Sequence, residues 1–126
     1  MSRAINDLSP YFKPLAIELL ARTVEAGIPV VIVDTLRTPA EHAANLAKGV
    51  SWTPRSKHLI GDAIDLCPYA QYDAHGPDKL LWTDDPVWWR LGAIGEALGL
   101  RWGGRWTVRD LGHFEYVAPR VETRQV

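Results

Sequence analysis

Hydrophobic and polar positions divide the chain into a few short elements. From Ser9 to Gly27, Phe12, Leu15, Leu19 and Val24 recur at the spacing of one helical face. Ser9 and Pro10 read as N-cap and first helical position, and Gly27 as the stop. "IPVVIVDT" at 28–35 is β-branched and apolar on both alternating sets, the pattern of a strand covered on both faces and therefore central in its sheet. Thr38-Pro39-x-Glu41 predicts a second helix opened by a capping box and closed at Gly49. In "AIDLCPY", Ile64 and Leu66 point one way while Ala63, Asp65 and Cys67 point the other, so Asp65 can leave the core face without disrupting a strand. Asp85 and Pro86 open a third helix with Val87, Leu91, Ile94 and Leu98 on one face and Gly99 near its end. Gly103 and Gly104 turn the chain between two tryptophans, and "HFEYV" sets His113, Glu115 and Val117 against Phe114 and Tyr116. Residues 50–62 read as loop, 70–84 as a turn-rich surface excursion bordering a cleft, and the tail "PRVETRQV" as polar enough to fray. Helices mixed with short strands, without internal repeats, predict an α+β domain.

Composition narrows the function classes. A chain of 126 residues is expected to be one domain, 1–126, with a single core. Fourteen basic against fifteen acidic residues leave a formal charge of −1, which gives no electrostatic reason to propose nucleic acid or an anionic membrane as partner. The lone Cys67 excludes an intramolecular disulfide and a cysteine-rich zinc module; a small packed residue is the expected role. No basic segment precedes an unbroken apolar run, and no window approaches the ~18 apolar residues of a membrane span. The expectation is a monomer made in the cytoplasm, without a signal peptide or stable membrane insertion. A substrate outside that compartment would require another means of release.

The chemistry concentrates in "SKHLIGDAID", residues 56–65, and "DLGHFEY", residues 110–116. A metal centre without cysteine must use histidine and carboxylate, and a catalytic zinc takes three such ligands and keeps one position open. His58 precedes a glycine turn, Asp65 lies on the exposed side of the following strand, and His113 begins a strand with acids on both sides, Asp110 and Glu115. Such a centre activates water near neutral pH, and a nearby carboxylate takes up the proton. On spacing alone either Asp110 or Glu115 could fill that role. His42, inside a capped helix with no partner at ligand spacing, reads as a solvated or core-edge histidine. His75, Asp73 and Asp78 fit a cleft rim as well as a weak calcium site. Most of Trp82, Trp88, Trp89, Trp102 and Trp106 read as core, with one or two beside the cleft.

Ser56-x-His58-x-x-Gly61-x-Ala63-x-Asp65 followed by Asp110-x-x-His113-Phe114-Glu115 resembles the zinc peptidoglycan peptidases. That family includes D-Ala-D-Ala carboxypeptidases, vancomycin-resistance dipeptidases and phage L-alanyl-D-glutamate endopeptidases. "LRTPAEHAANLAKGVSWTPRSKH" is similar to the family's upstream segment, so the likeness runs over about residues 28–117. It implies the hedgehog/D,D-peptidase type of fold: a small, mostly antiparallel sheet with helices on one face and a zinc cleft on the other. It also implies His58, Asp65 and His113 as zinc ligands, Asp110 as general base, and Arg37 and Ser56 on the substrate side. Glu115, on the strand face of His113, reads as a partner orienting a ligand histidine, with a base or an exposed residue as the alternatives. Several relatives carry glutamate at the base position; aspartate, as here, is the phage endopeptidase form.

The implied activity is zinc-dependent hydrolysis of the peptidoglycan stem, as an L-alanyl-D-glutamate endopeptidase acting as an endolysin on the bacterial wall after membrane breach. A D,D- or L,D-carboxypeptidase of wall remodelling is the alternative within the family. A non-catalytic, metal-stabilised wall-binding or virion domain is the alternative from another class.

Overall fold

The computed structural model describes residues 2–49, 56–70, 79–82 and 85–117. The readings placed on His75, Asp73, Asp78, residues 50–55 and the tail at 119–126 lie outside the described residues. Helix α1 spans Lys13–Glu25, β1 Val30–Asp34, α2 Pro39–Ala47, β2 Ala63–Ala70, β3 Lys79–Leu80, α3 Val87–Ala97, β4 Arg101–Trp102 and β5 His113–Glu115. The strands pair antiparallel in the order β1-β2-β5-β4, and β3 adds to the end of β2. No described helix is long and apolar enough to cross a membrane.

Local chemistry explains the helix ends. The Ser9 hydroxyl accepts from the Phe12 amide, and the Ser9 carbonyl accepts from Lys13, so the expected cap opens a turn and the regular helix begins at Lys13. At its far end Gly27, at φ +71°, lets Ile28 N–H reach the Thr23 carbonyl and Gly27 N–H the Val24 carbonyl, which is a Schellman termination. The α2 capping box forms as expected, with Thr38 accepting from Glu41 N–H and Glu41 accepting from Thr38 N–H. Before α3 the Asp85 carboxylate accepts from Val87 N–H.

Phe12, just before α1, and Ala16 and Leu19 of α1 meet Trp88 and Leu91 of α3 over Ile64 and Leu66 of β2, Trp102 and Phe114. Gly92 and Gly95 make this closeness possible: a Cβ on Gly92 would lie 2.4 Å from the Trp102 ring, and one on Gly95 would lie 2.4 Å from the Phe114 ring. The helical face predicted from leucines and isoleucine therefore runs through two glycines.

Two expectations are corrected. Val24 is 78% exposed; it lies at the edge of the α1 apolar stripe, and Thr23 is buried instead, its hydroxyl satisfied by the Leu20 carbonyl. The apolar strand at 28–35 is not central: among the described residues β1 pairs with β2 alone, and β2, between β1 and β5, is the central strand. Val30 to Val33 are only half-buried, because burying part of both faces at a sheet edge needs the same β-branched pattern as a central strand.

Gly95→Ala should destabilise the fold. Alanine gains up to about 1 kcal/mol of helix propensity over glycine, but forcing a methyl into a fully buried aromatic ring costs about 1–3 kcal/mol. Chemical denaturation should show a lower midpoint; an unchanged or higher midpoint would show that the α3–β5 contact yields freely.

Candidate metal centre

Strand register assembles the site. Asp65 is opposite His113 on β5 and opposite Asp34 on β1, so three polar residues form a row across three strands on the face opposite Ile64, Leu66 and Phe114. A bulge helps: Ile32 pairs with Leu66 but Asp34 pairs with Asp65, a register shift of one residue. Uninterrupted pairing would set Asp34 opposite the core residue Ile64; the extra residue moves it into the polar row.

His58 arrives from a 3-10 turn at Lys57–Ile60. The Ser56 hydroxyl caps this turn by accepting from His58 N–H, and Gly61 ends it at φ +75°. A side chain at Gly61 would be both strained and crowded, since its Cβ would lie 2.9 Å from the Ser9 amide nitrogen. Asp62 leaves the site to accept from the Ser9 hydroxyl, so the two aspartates of "SKHLIGDAID" have separate roles.

Asp65 Oδ1 lies 3.0 Å from His58 Nε2 and 3.2 Å from His113 Nδ1. The far nitrogen of each imidazole is already engaged. His58 Nδ1 is 2.7 Å from the Thr35 carbonyl, which can only accept, so that nitrogen carries the proton. His113 Nε2 is 2.8 Å from Glu115 Oε1, and the carboxylate draws the ring proton there. In their neutral forms both histidines therefore aim a lone pair at a carboxylate oxygen. Three acceptors facing one another at these separations require a cation between them, either protons or a metal ion. The three ligand atoms lie within 4.8 Å of one another, and two donors on one tetrahedral zinc are roughly 3.3 Å apart given bond lengths near 2.0–2.2 Å. The donor set fits a three-ligand metal site with a fourth position open.

The electrostatics agree. Burial disfavours the His113 imidazolium, yet hydrogen bonds to Asp65 and Glu115 and the charges of Asp65 and Asp110 raise its pKa to about 9. Burial likewise works against the Asp65 carboxylate, but His113 and His58 hold its pKa well below the usual range. Glu115 is also lowered against the cost of burial, by His113 first and then by Lys57 and Arg101. Asp110 is shifted the other way: burial and the Asp65 charge raise its pKa. Its Oδ2 is 4.0 Å from His113 Nδ1, with the side chain 37% exposed. It is thus a carboxyl at the mouth of the site with increased affinity for a proton. Gly103 lets it sit there, since a Cβ at that position would strike the Asp110 carbonyl at 2.4 Å.

The remaining sequence-selected residues are also placed. Arg37 is buried, and its Nε and Nη2 both contact Asp34 Oδ2, at 3.1 and 2.6 Å. Asp34 Oδ2 in turn lies 3.9 Å from His58 Nδ1. His42 is neither solvated nor at the core edge: it is 3% exposed, with Nδ1 3.1 Å from Arg37 Nη1. The capping box accounts for this, because it fixes the first turn of α2 and thereby turns His42 back toward Arg37. Among the tryptophans, Trp88 and Trp102 are core, Trp82 and Trp89 are exposed, and Trp106 packs on the His113 ring with centroids 5.0 Å apart. Cys67 is buried, and burial pushes its thiol pKa up. Sequence reasoning offers Asp34 as a partner of Arg37 and one or two tryptophans beside the cleft, and Asp34 and Trp106 are found there; it misses the Thr35 carbonyl and His42, and only the i, i+5 spacing of Arg37 and His42 across a capping box could have suggested the histidine.

Residues 49–116 match the family described as D-alanyl-D-alanine carboxypeptidase. The chain is 34% identical over 107 residues to the L-alanyl-D-glutamate peptidase of Listeria phage A118, covering 82% of this chain and 35% of that protein. It is also 34% identical over 93 residues to the L-alanyl-D-glutamate peptidase of Escherichia phage T5, covering 67% of this chain and 64% of that protein. The chain thus spans less than two thirds of the length of either relative. The solved structure of the Serratia marcescens L-Ala D-Glu endopeptidase ChiX matches with a TM-score of 0.69 over 90% of this chain and 83% of that one. At 22% identity this is a likeness of fold.

A metal ion held by His113 would have to displace the proton that the ring otherwise carries. With a folded pKa of about 9, its imidazolium contacts stabilise the metal-free fold fully below the unfolded value near 6.5, and that contribution is lost as pH rises through about 9. Metal uptake near pH 7.5 should release close to one proton per ion from this histidine. Apparent affinity should rise roughly tenfold per pH unit until about pH 9. Calorimetry in buffers of different ionisation enthalpy would measure both, and a pH-independent affinity would contradict the assignment.

Proposed function

The chain belongs to the D-alanyl-D-alanine carboxypeptidase family, and from that premise we propose that it is a zinc-dependent peptidoglycan stem-peptide hydrolase, specifically an L-alanyl-D-glutamate endopeptidase. The observation that carries the reading is the convergence of His58 Nε2, Asp65 Oδ1 and His113 Nδ1 with Asp110 at the rim. Two imidazole nitrogens and one carboxylate oxygen make a donor set suited to zinc. The choice of scissile bond is supported by the two phage relatives that carry that activity in their names and by aspartate at the base position.

When bound, zinc supplies Lewis-acid activation of water and polarisation of the scissile carbonyl. The chain's own residues do the rest. Asp110 takes the proton of the attacking water at its carboxylate and then delivers it to the leaving amine nitrogen, a transfer helped by its raised pKa. Glu115 and the Thr35 carbonyl hold the two imidazoles in their ligand tautomers. Arg37 supplies a fixed positive charge on the same wall for the substrate carbonyl or carboxylate. Ser56 acts through the turn that carries His58. Trp106, lying on His113, excludes water from one side of the cleft. The substrate partner is bacterial peptidoglycan, reached after the membrane is breached by an endolysin made in the host cytoplasm; the phage origin of the two peptidase relatives supports this reading.

Asp110→Ala should lower hydrolysis of purified peptidoglycan by about 10²–10⁴-fold while metal content stays stoichiometric by elemental analysis. Lysis that survives this substitution would favour a domain that keeps the metal only as structure. The wild-type digest should expose new amino termini on D-Glu; release of free D-Ala would instead assign the carboxypeptidase reaction.

A further inference from the structure

The strongest unassigned feature is the buried group behind His58. Asp34, Arg37 and His42 are 2%, 7% and 3% exposed, and their charged and polar atoms meet one another. A guanidinium has only N–H donors and keeps its charge in proteins. The 3.1 Å contact between Arg37 Nη1 and His42 Nδ1 therefore requires Nδ1 to be the acceptor, with the imidazole proton on Nε2.

Asp34 holds the arginine through one of its two oxygens. A fork-to-fork pair uses both carboxylate oxygens, but here Nε and Nη2 both contact Oδ2, and Oδ1 is buried with no hydrogen-bond partner. His42 contacts the other branch, Nη1, at 3.1 Å and so gives the guanidinium a further fixed point on a second element. The local sequence makes His42 rigid: Thr38 and Glu41 close the capping box, Pro39 starts the helix, and His42 N–H bonds the Thr38 carbonyl at 3.0 Å. Arg37 N–H donates to the His58 carbonyl at 3.0 Å, which ties the group to the ligand turn.

We propose that His42 is a positioning residue that holds the Arg37 guanidinium as a neutral Nδ1 acceptor, so that its charge is oriented toward the cleft before substrate arrives. The inference rests on the reading of Arg37 as a substrate-side cation. Misplacing such a group by about an ångström costs up to about 10²-fold.

Two measurements test it. In ¹⁵N-labelled protein near neutral pH, the ring shifts of His42 should show an unprotonated Nδ1 and a protonated Nε2; a proton on Nδ1 overturns the proposal without reference to activity. In a double-mutant cycle on a stem-peptide substrate, His42→Leu should lower kcat/KM roughly ten- to a hundredfold with metal content unchanged. His42→Gln, which keeps an acceptor, should restore most of it, and Arg37→Ala/His42→Leu should be no worse than Arg37→Ala. Full activity of Arg37→Ala would sink the arginine reading itself. Loss on Arg37→Ala with full activity of His42→Leu, multiplicative losses in the double variant, or no recovery with His42→Gln would leave that reading intact and overturn the role of His42.

Discussion

Asp65 Oδ1 lies between two imidazole nitrogens that come from opposite ends of the site, His58 Nε2 at 3.0 Å and His113 Nδ1 at 3.2 Å. Each ring presents its lone pair because its other nitrogen is committed, to the Thr35 carbonyl in one case and to Glu115 in the other. Without a cation between them, three acceptors at this range would repel one another, so the fold holds together a cluster whose stability depends on what occupies its centre. The raised pKa of His113 reports that dependence in the chain alone: the surrounding carboxylates demand positive charge strongly enough to overcome the cost of burying it.

The scaffold exists to hold that oxygen in place. One face of β2 carries Ile64 and Leu66 into the α1 and α3 layer while the other carries Asp65; the register with β5 brings His113 alongside, and the β1 bulge brings Asp34. The core rests on two glycines of α3 that admit the Trp102 and Phe114 rings. Phe114, directly between His113 and Glu115, is therefore clamped by the helix layer, and its two neighbours inherit that rigidity on the opposite face. A metal site on strands supported in this way is positioned more firmly than one built on loops; only His58 comes from a turn, and Ser56 and Gly61 define that turn at both ends.

Much of this was legible in residues alone. The alternation of "AIDLCPY" separates Asp65 from the core, Thr38 and Glu41 announce the α2 capping box, and the ordered motifs around His58 and His113 carry the family resemblance. What remained hidden was tertiary. A β-branched apolar run looks the same in an edge strand and in a central one, so β1 was placed wrongly. Val24 fitted the helical period but lies at its margin, facing outward. His42 has no unusual sequence context, and its burial beside Arg37 is a tertiary outcome. The Thr35 contribution is a backbone carbonyl, which any residue type could supply, so no side-chain pattern could reveal it.

The proposed function needs one metal ion joined to His58, Asp65 and His113. X-ray absorption at the zinc edge of the loaded protein reads that shell. Two imidazole nitrogens and carboxylate oxygen are expected at about 2.0–2.2 Å, with no sulfur. A sulfur scatterer near 2.3 Å, or a shell containing a single imidazole, would contradict it.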